Sequence, residues 1–270
     1  MIALTHAGIL AAHDRAREHG ALTSAGPVRP GWNGRSAGGP VRMPEGDAGW
    51  LRVVGAPAAL AHGSWWTGNV EAESLRGIDR APLLSHWDWT DGPQHFRAEL
   101  FRRYPGRVCS PLAELRAHPP IDAEWWDTLD ANLRVLAATP TTRQATTPES
   151  LNHRTGILFG RTFDVPDSAW ETAHGDLHWA NLFAPRLGII DWEAWGTAPA
   201  GADLAFLYVH ALAQPAVEDL MRHRYPQLRT TIAGIASLHL AAARVLARAM
   251  SGEHATLVAP VHRLIRELRA

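Results

Sequence analysis

The residue composition and the hydrophobic pattern of this sequence change along its length, and that change limits the folds that it can adopt. The first half combines glycine and proline with short apolar runs, whereas the last third is rich in alanine and leucine and has helical periodicity. Its 270 residues are enough to bury one or two cores. We therefore predict a two-lobed α+β fold, in which residues 1–109 form a sheet-rich lobe and residues 110–270 a helical lobe.

Short strands bounded by turn signals dominate the predicted first lobe. Residues 40–43 and 50–54 are apolar runs on either side of a turn-rich stretch. Residues 83–89 and 94–101 flank a Thr-Asp-Gly-Pro sequence that is typical of a hairpin turn. A short helix is predicted between these two pairs, over residues 65–75. Strands of this kind with one helix indicate a small sheet-based unit.

Helices dominate the predicted second lobe. Asp122 is a good N-cap for a helix over residues 123–138, because the tryptophans and leucines that follow share one helical face. Further helices are predicted over residues 203–213, 230–250 and 258–269. Between these segments, residues 187–190 form an apolar run that predicts a strand ending at Asp191.

Charge and cysteine usage exclude several classes of protein. The 26 basic residues are all arginines and are balanced by 27 acidic ones, so the net charge of −1 gives no sign of a nucleic-acid-binding surface. Cys109 is the single cysteine, which excludes an internal disulfide and fits a reducing compartment. Residues 1–12 lack a secretion signal, and we find no long apolar run that predicts a membrane span. We expect a cytoplasmic protein with no nucleic-acid or membrane partner.

Three oxygen-bearing side chains stand at fixed spacing in the middle of the chain. Asp176 and Asn181 lie in a loop sequence, His-Gly-Asp-Leu-His-Trp-Ala-Asn, and Asp191 follows in Ile-Ile-Asp-Trp-Glu. Carboxylate and amide oxygens are the ligands that Mg²⁺ takes in proteins, with phosphates and water completing its shell. Phosphoryl transfer needs such a cation and a group that orients the attacking hydroxyl. The pattern therefore predicts a phosphoryl-transfer site.

The stretch from His174 to Asp203 resembles the aminoglycoside phosphotransferase and choline kinase-like group of small-molecule kinases. Members of this group share an HGDxxxxN loop, an IDWE-type metal motif and a later Gly/Asp pair, represented here by Gly201 and Asp203. The match is specific over about thirty residues, and the order of elements agrees along nearly the whole chain. The resemblance implies a protein-kinase-like fold.

The same resemblance implies roles for individual residues. Asp176 would act as catalytic base or orient the acceptor hydroxyl, and His174 would brace the catalytic loop beside it. Asn181 and Asp191 would hold Mg²⁺. Asp203 would hold the backbone of the catalytic loop from the start of the next helix.

A cation for the nucleotide phosphates is predicted in the first lobe. Kinase-like folds place a strand lysine on the phosphates and pair it with a glutamate from a helix about twenty residues later. In this lysine-free chain the strand at residues 50–54 offers Arg52, and Glu73 is the preferred partner over Glu71. An exposed-strand role for Arg52 is the alternative. Arginine presents a planar fork instead of a point charge, so the exchange is not neutral.

These features lead to one preferred function and several alternatives. The preferred one is a phosphotransferase that uses ATP or GTP with Mg²⁺ to phosphorylate a hydroxyl of a small natural product or antibiotic, conferring resistance. The alternatives are an aminoglycoside phosphotransferase, an inactive kinase-like binding protein, and a metal-dependent hydrolase built on His174, Asp176 and His178.

The charge of the C-terminal segment bears on the acceptor. From Asp203 to the C-terminus there are five acidic residues and eight arginines, a net charge of +3. This balance favours an uncharged or anionic acceptor, such as a nucleoside-type product, over a polycationic aminoglycoside.

Overall fold

The structure is a computed structural model that describes residues 5–269, and it contains two compact units. The first unit comprises the chain up to Ser74 together with Arg80–Pro105, and the second comprises Leu75–Asp79 together with the chain from Gly106 onward. The later of the divisions between the two units falls after Pro105, four residues before the predicted lobe boundary at residue 109. Residues 1–4, which are part of the segment examined for a secretion signal, lie outside the described range.

An antiparallel sheet forms most of the first unit. Its strands are ordered β1-β3-β4-β6-β5, with β2 also paired to β3. In chain order the elements are α1 (His6–His19), β1 (Thr23–Ser24), β2 (Arg29–Pro30), β3 (Ser36–Arg42), β4 (Ala48–Pro57), α2 (Ser64–Glu71), β5 (Leu83–Asp91) and β6 (Gln94–Arg102). The predicted strands, the hairpin between β5 and β6, and the helix near residue 65 are confirmed.

The alternation of side chains along β4 decides which residues face the core. Leu51 and Val53 are fully buried in the apolar core of this unit, together with Ala98 of β6. Successive side chains of a strand point to opposite faces, so Arg52 lies on the other face of the sheet. This placement leaves Arg52 available for polar contacts.

Helix α1 covers the core face of this sheet and was not foreseen. Its N-cap is Thr5, whose side chain accepts a 3.0 Å hydrogen bond from a backbone N–H three residues later. The helix adds Ile9, Ala12 and Ala16 to the core that contains Leu51. An apolar face made of one isoleucine and two alanines is a weak sequence signal, which is why the helix was missed.

The second unit is helical with two small strand pairs. Strand β7 pairs with β9 and β8 pairs with β10, all antiparallel. In chain order the elements are β7 (Arg107–Val108), α3 (Ala123–Ala137), α4 (Pro148–Phe159), β8 (Trp170–Ala173), β9 (Phe183–Ala184), β10 (Gly196–Pro199), α5 (Ala202–Val209), α6 (Pro215–Arg224), α7 (Gln227–Thr230), α8 (Ile232–Ala249) and α9 (Val258–Glu267). The helices predicted near residues 123, 203, 230 and 258 are confirmed, whereas α4 and α6 were not foreseen.

Helix α8 is the central element of this unit. It packs against α4, α5, α7 and α9. With a mean hydropathy of 1.3 over 18 residues, it is long and apolar enough to cross a membrane by length and composition. However, 61% of this stretch is buried inside the unit, as is usual for the core helix of a globular domain.

Candidate active site

The loop that begins at His174 is anchored to helix α5. The carboxylate of Asp203, in the first turn of α5, accepts hydrogen bonds from the backbone N–H groups of His174 at 2.7 Å and Gly175 at 3.0 Å. Burial raises the pKa of Asp203, and the two N–H groups oppose this by stabilising the carboxylate. The role implied for Asp203, holding the backbone of this loop, is confirmed.

Gly175 occupies a backbone conformation and a space that only glycine suits. Its φ is +80°, in the left-handed region, and an added Cβ would lie 2.4 Å from the carbonyl oxygen of Ala194. The Cβ of Ala145 would lie only 2.8 Å away. The loop thus passes too close to its neighbours for any side chain at this position.

We expect Gly175→Ala to lower the free energy of unfolding by about 3 kcal/mol or more, because left-handed strain and overpacking each cost ~1–3 kcal/mol. Denaturant unfolding measures the change. Gly252→Ala is the matched control, since Gly252 has a φ of +91° but open space around the position of a Cβ. Equal losses in the two variants would show that backbone strain alone is responsible.

His174 braces the loop through both of its ring nitrogens. It is fully buried; its Nδ1 accepts the N–H of Asp176 at 3.3 Å, and its Nε2 donates to the carbonyl of Ile190 at 2.9 Å. Burial lowers the pKa of His174, so the ring is neutral at physiological pH. Neither nitrogen is left for a metal, which removes a ligand from the hydrolase alternative. No three His, Cys, Asp or Glu side chains within residues 5–269 are grouped to hold a metal ion.

Asp176 is held as an ionised carboxylate. Its Oδ1 accepts a 2.8 Å hydrogen bond from Nη2 of Arg244, and its Oδ2 lies 4.0 Å from Nε2 of His178. Burial is the largest single effect and favours the neutral acid, but Arg244, Arg248 and the neighbouring histidines together outweigh it and lower the pKa of Asp176 to about 2. The side chain is 26% exposed. Asp176 can therefore accept a hydrogen bond from a hydroxyl group.

Asn181 presents an oxygen beside Asp176. Its side-chain amide donates through Nδ2 to the backbone carbonyl of Asp176 at 3.1 Å. Within the described part of the chain, no group donates a hydrogen bond to its Oδ1. That oxygen is therefore able to coordinate a cation.

The predicted strand that ends at Asp191 is absent, which corrects the sequence analysis. In place of a strand, residues 187–190 make a single isolated bridge, between Leu182 and Ile189. The N–H of Ile190 donates to the carbonyl of Asn181 at 3.0 Å, which brings Asp191 next to this segment. Asp191 is exposed and has a left-handed backbone, with a φ of 68°. Asparagine and aspartate tolerate this conformation better than other residues with side chains.

The residues around Asn181 and Asp191 fit a hard divalent cation. Both offer oxygen atoms, which suit Mg²⁺ and not the softer metals that prefer nitrogen or sulfur. Mg²⁺ is usually held by one or two protein side chains together with phosphates and water. Two protein ligands are therefore enough for such a site.

Arg52 of the first unit is paired across the sheet. It lies directly opposite Glu99 of β6, and its Nη1 donates to the Glu99 carboxylate at 2.8 Å. The side chain of Glu99 is 2% exposed and also accepts a 2.9 Å hydrogen bond from Nδ2 of Asn69 in α2. Glu99 thus fixes the guanidinium of Arg52 on the face of the sheet opposite α1. The sequence analysis did not identify Glu99.

Glu73, the partner predicted for Arg52, has other contacts. Its carboxylate accepts from the guanidinium of Arg80 and, at 2.9 Å, from the backbone N–H of Leu83. Glu73 therefore helps to join the segment after α2 to the start of β5. Its pairing with Arg52 stays a prediction.

Comparison with known proteins identifies the fold. No protein-family model and no curated protein matches this chain. Among solved structures, an amicoumacin kinase in complex with AMP-PNP, Ca²⁺ and Ami is 13% identical, with a TM-score of 0.61 over 98% of this chain and 96% of that one. An aminoglycoside phosphotransferase is 12% identical, with a TM-score of 0.62 over 96% and 98%. The chain has the aminoglycoside phosphotransferase fold.

A third structure supports the same assignment. A macrolide 2'-phosphotransferase from Brachybacterium faecium is 16% identical and aligns with a TM-score of 0.55 over 93% of this chain and 96% of that one. The aminoglycoside phosphotransferase fold confirms the predicted two-lobed α+β class and the resemblance noted for residues 174–203. The alignments span both units of the chain.

Proposed function

We propose that this protein is a nucleotide-dependent O-phosphotransferase that acts on a hydroxyl of a small natural product or antibiotic and confers resistance to it. The observation that carries the proposal is a loop in which Asp176 is ionised and Asn181 is hydrogen-bonded to it, with the segment that leads to Asp191 hydrogen-bonded to Asn181. The anchoring by Asp203 and His174 supports it, because catalysis of phosphoryl transfer depends on positioning. We place the reaction in the cytoplasm, where the thiol of Cys109 stays reduced.

Asp176 acts on the acceptor. With Oδ1 occupied by Arg244, Oδ2 accepts the hydrogen bond of the acceptor hydroxyl and directs its oxygen at the γ-phosphorus. The new oxygen–phosphorus bond forms while the bond to the bridging oxygen of the β-phosphate breaks. The hydroxyl proton passes to Oδ2 late, because a carboxylate of low pKa is a weak base and the transition state is loose.

Asn181 and Asp191 would hold Mg²⁺ through their side-chain oxygens. The cation supplies charge neutralisation on the phosphates as the leaving group departs. The two residues contribute differently, because Asp191 provides a negative charge and Asn181 a neutral oxygen whose direction is set by its hydrogen bond to Asp176.

Arg52 would bind the phosphates of ATP or GTP. Its guanidinium carries its N–H donors in a planar fork, a geometry that suits the oxygens of a phosphate. The ion pair with Glu99 holds the guanidinium of Arg52 in one orientation before the nucleotide binds. The role of Glu73 as a second partner of Arg52 is part of this proposal.

A nucleotide-consumption screen tests the function. Purified protein is incubated with Mg²⁺ and either ATP or GTP, and with a panel of nucleoside-type, macrolide and aminoglycoside antibiotics. We expect acceptor-dependent release of ADP or GDP and a product that is heavier by one phosphoryl group. Release of diphosphate without such a product would contradict the assignment, and so would the absence of any acceptor-dependent release.

An inactive kinase-like binding protein is the second candidate. It is favoured by one observation, the arginine at the position where kinase-like folds place a lysine. Such a protein would bind Mg²⁺ and nucleotide in an equilibrium titration and give no turnover in the same screen. The two measurements together separate the candidates.

We expect Arg52→Ala to raise the KM for the nucleotide by about tenfold or more, because charge-assisted hydrogen bonds contribute ~1.5–3 kcal/mol. The KM for the acceptor should change little. Since Glu99 then loses its cationic partner, stability should fall by up to about 3–5 kcal/mol. Steady-state kinetics with each substrate varied in turn measure the effect.

Arg52→Lys keeps the positive charge beside Glu99 and serves as the second variant if the alanine variant fails to fold. Arg102→Ala is the matched control, because Arg102 lies on the neighbouring strand and is 56% exposed. A wild-type KM for the nucleotide in both Arg52 variants would establish the alternative of a strand residue without a phosphate contact.

A further inference from the structure

Two arginines lie one turn apart on helix α8, on a helix that is otherwise largely buried. Arg244 and Arg248 have side chains that are 27% and 29% exposed, whereas most of the surrounding residues of α8 are buried in the core. Placing two cations on a core helix carries a cost in desolvation. Arg244 forms an ion pair with Asp176, at 2.8 Å.

Arg244 has a fixed orientation and unused hydrogen-bond donors. Its Nη1 donates to the carbonyl of Gly175 at 2.7 Å, and its Nη2 donates to Asp176. Its guanidinium also lies over the ring of Phe206, 4.5 Å from the ring centre. A guanidinium has five N–H groups, and the described residues accept from only two of those on Arg244. The others can bind an additional anion.

Two further arginines, Arg248 and Arg154, lie near enough to Arg244 for their charges to act on it. Burial lowers the pKa of Arg244, Asp176 raises it, and the like charges of Arg248 and Arg154 lower it again. Of the nearby acids, Asp203 is bound to backbone N–H groups and Glu253 lies 4.0 Å from Arg248. The charges of both Arg244 and Arg248 act on Asp176, so two arginines face this single carboxylate.

We infer that the acceptor carries an acidic group, a carboxylate or a phosphate, which Arg244 binds while Asp176 orients a hydroxyl of the same molecule. This inference rests on the proposed phosphotransferase function and names the class of its acceptor. Arg244 is then a specificity-determining residue, with Arg248 one turn away adding attraction for the anion.

The arrangement also excludes polycations. An ammonium group that approaches Asp176 meets the charges of Arg244 and Arg248, and like charges in a partly buried site repel strongly. An acidic acceptor instead gains charge-assisted hydrogen bonds in an orientation that the contacts with Gly175 and Phe206 have already set.

Four sugars with shared ring hydroxyls and different charge test the inference: glucuronate, glucose 6-phosphate, glucose and glucosamine. Each is titrated into the wild-type protein by calorimetry, with Mg²⁺ and AMP-PNP present at saturation so that the nucleotide's phosphate contacts are occupied. We expect at least one of the two acids to bind about tenfold or more tightly than glucose, and glucosamine to bind more weakly still. Tighter binding of glucuronate identifies a carboxylate as the preferred group, and tighter binding of glucose 6-phosphate identifies a phosphate.

Arg244→Gln should remove this preference, giving equal affinity for the acid and for glucose. Loss of folding or of Asp176 positioning would change both affinities alike, so the ratio isolates the anion contact. Arg266→Gln is the matched control, because it makes the same change of charge on the exposed face of α9. Arg244→Lys should retain part of the preference, since an ammonium keeps the charge but not the planar fork.

The outcomes separate this inference from the proposed function. Tightest binding of glucosamine, equal binding of all four sugars, no measurable binding of either acid, or an unchanged ratio in Arg244→Gln would each overturn the inference. Turnover of aminoglycosides in the antibiotic screen would keep the phosphotransferase function and reject the acidic acceptor. Binding of an acid through Arg244 without any acceptor-dependent turnover would keep the anion site and reject the function.

Discussion

Asp176→Asn should lower kcat by about 100-fold or more, because general-base and orienting groups contribute ~10²–10⁴-fold to such reactions. The amide has nearly the same shape as the carboxylate but cannot take the hydroxyl proton. Affinity for Mg²⁺ and nucleotide should stay close to that of the wild type, since the role proposed for Asp176 is on the acceptor in the transition state. Stopped assays of product formation and titration of the nucleotide measure the two quantities separately.

Because Asp176 contacts Arg244, the Asp176→Asn variant must be checked for correct folding. Arg244 keeps its hydrogen bond to Gly175 in the variant, and both Arg244 and Asp176 are about one quarter exposed, so the variant should fold. Thermal unfolding checks this. Asp219→Asn, at an exposed position of α6, makes the same chemical change away from the loop. A variant at Asp176 that kept more than about a tenth of the wild-type kcat would remove this residue from the catalytic role.

Asp191→Ala should abolish the Mg²⁺-dependent part of nucleotide binding, and Asn181→Ala should weaken it less. The carboxylate supplies most of the electrostatic attraction for the cation, whereas the amide contributes mainly geometry. Titration of nucleotide into each variant, with and without Mg²⁺, gives the ranking. Unchanged affinity in Asp191→Ala would contradict the assignment of Asp191 to the metal.

The left-handed backbone of Asp191 requires a second variant. Alanine is strained at a φ of 68°, so Asp191→Ala combines a change of charge with a change of backbone preference. Asp191→Asn removes the charge and keeps a residue that tolerates this conformation. Loss of Mg²⁺-dependent binding in both variants assigns the effect to the carboxylate, and loss in the alanine variant alone assigns it to the backbone.

Features that depend on neighbouring residues in the chain could be predicted from the sequence. The helix after Asp122 begins where its cap signal predicts, with the carboxylate accepting the N–H of Trp125 at 2.9 Å. The hairpin between β5 and β6 turns at the predicted glycine and proline. The contact of Asp203 with the His174 loop could be predicted only from the family resemblance, because the residues that it joins are 28 and 29 positions apart in the sequence.

Features that depend on register or on packing between distant segments could not be predicted. The contact of Arg52 with Glu99 is set by which residues face each other across two strands. Arg244 lies 68 residues after Asp176, and nothing near either residue in the sequence indicates their contact. The sequence did contain one hint of this contact. Arg244 and Arg248 lie four positions apart in an apolar helix, and charged residues on such a helix need a partner.

The buried and the partly exposed sides of α8 serve different purposes, and this affects how proteins of this kind can diversify. The buried side of the helix holds the second unit together, and the loop that carries Asp176 is held by Asp203, His174 and, from α8 itself, Arg244. Natural selection can therefore replace the partly exposed side chain of Arg248 without disturbing either the core or the anchors of the loop. Gene duplicates that differ at such positions would inherit the same chemistry and diverge in the molecules they recognise.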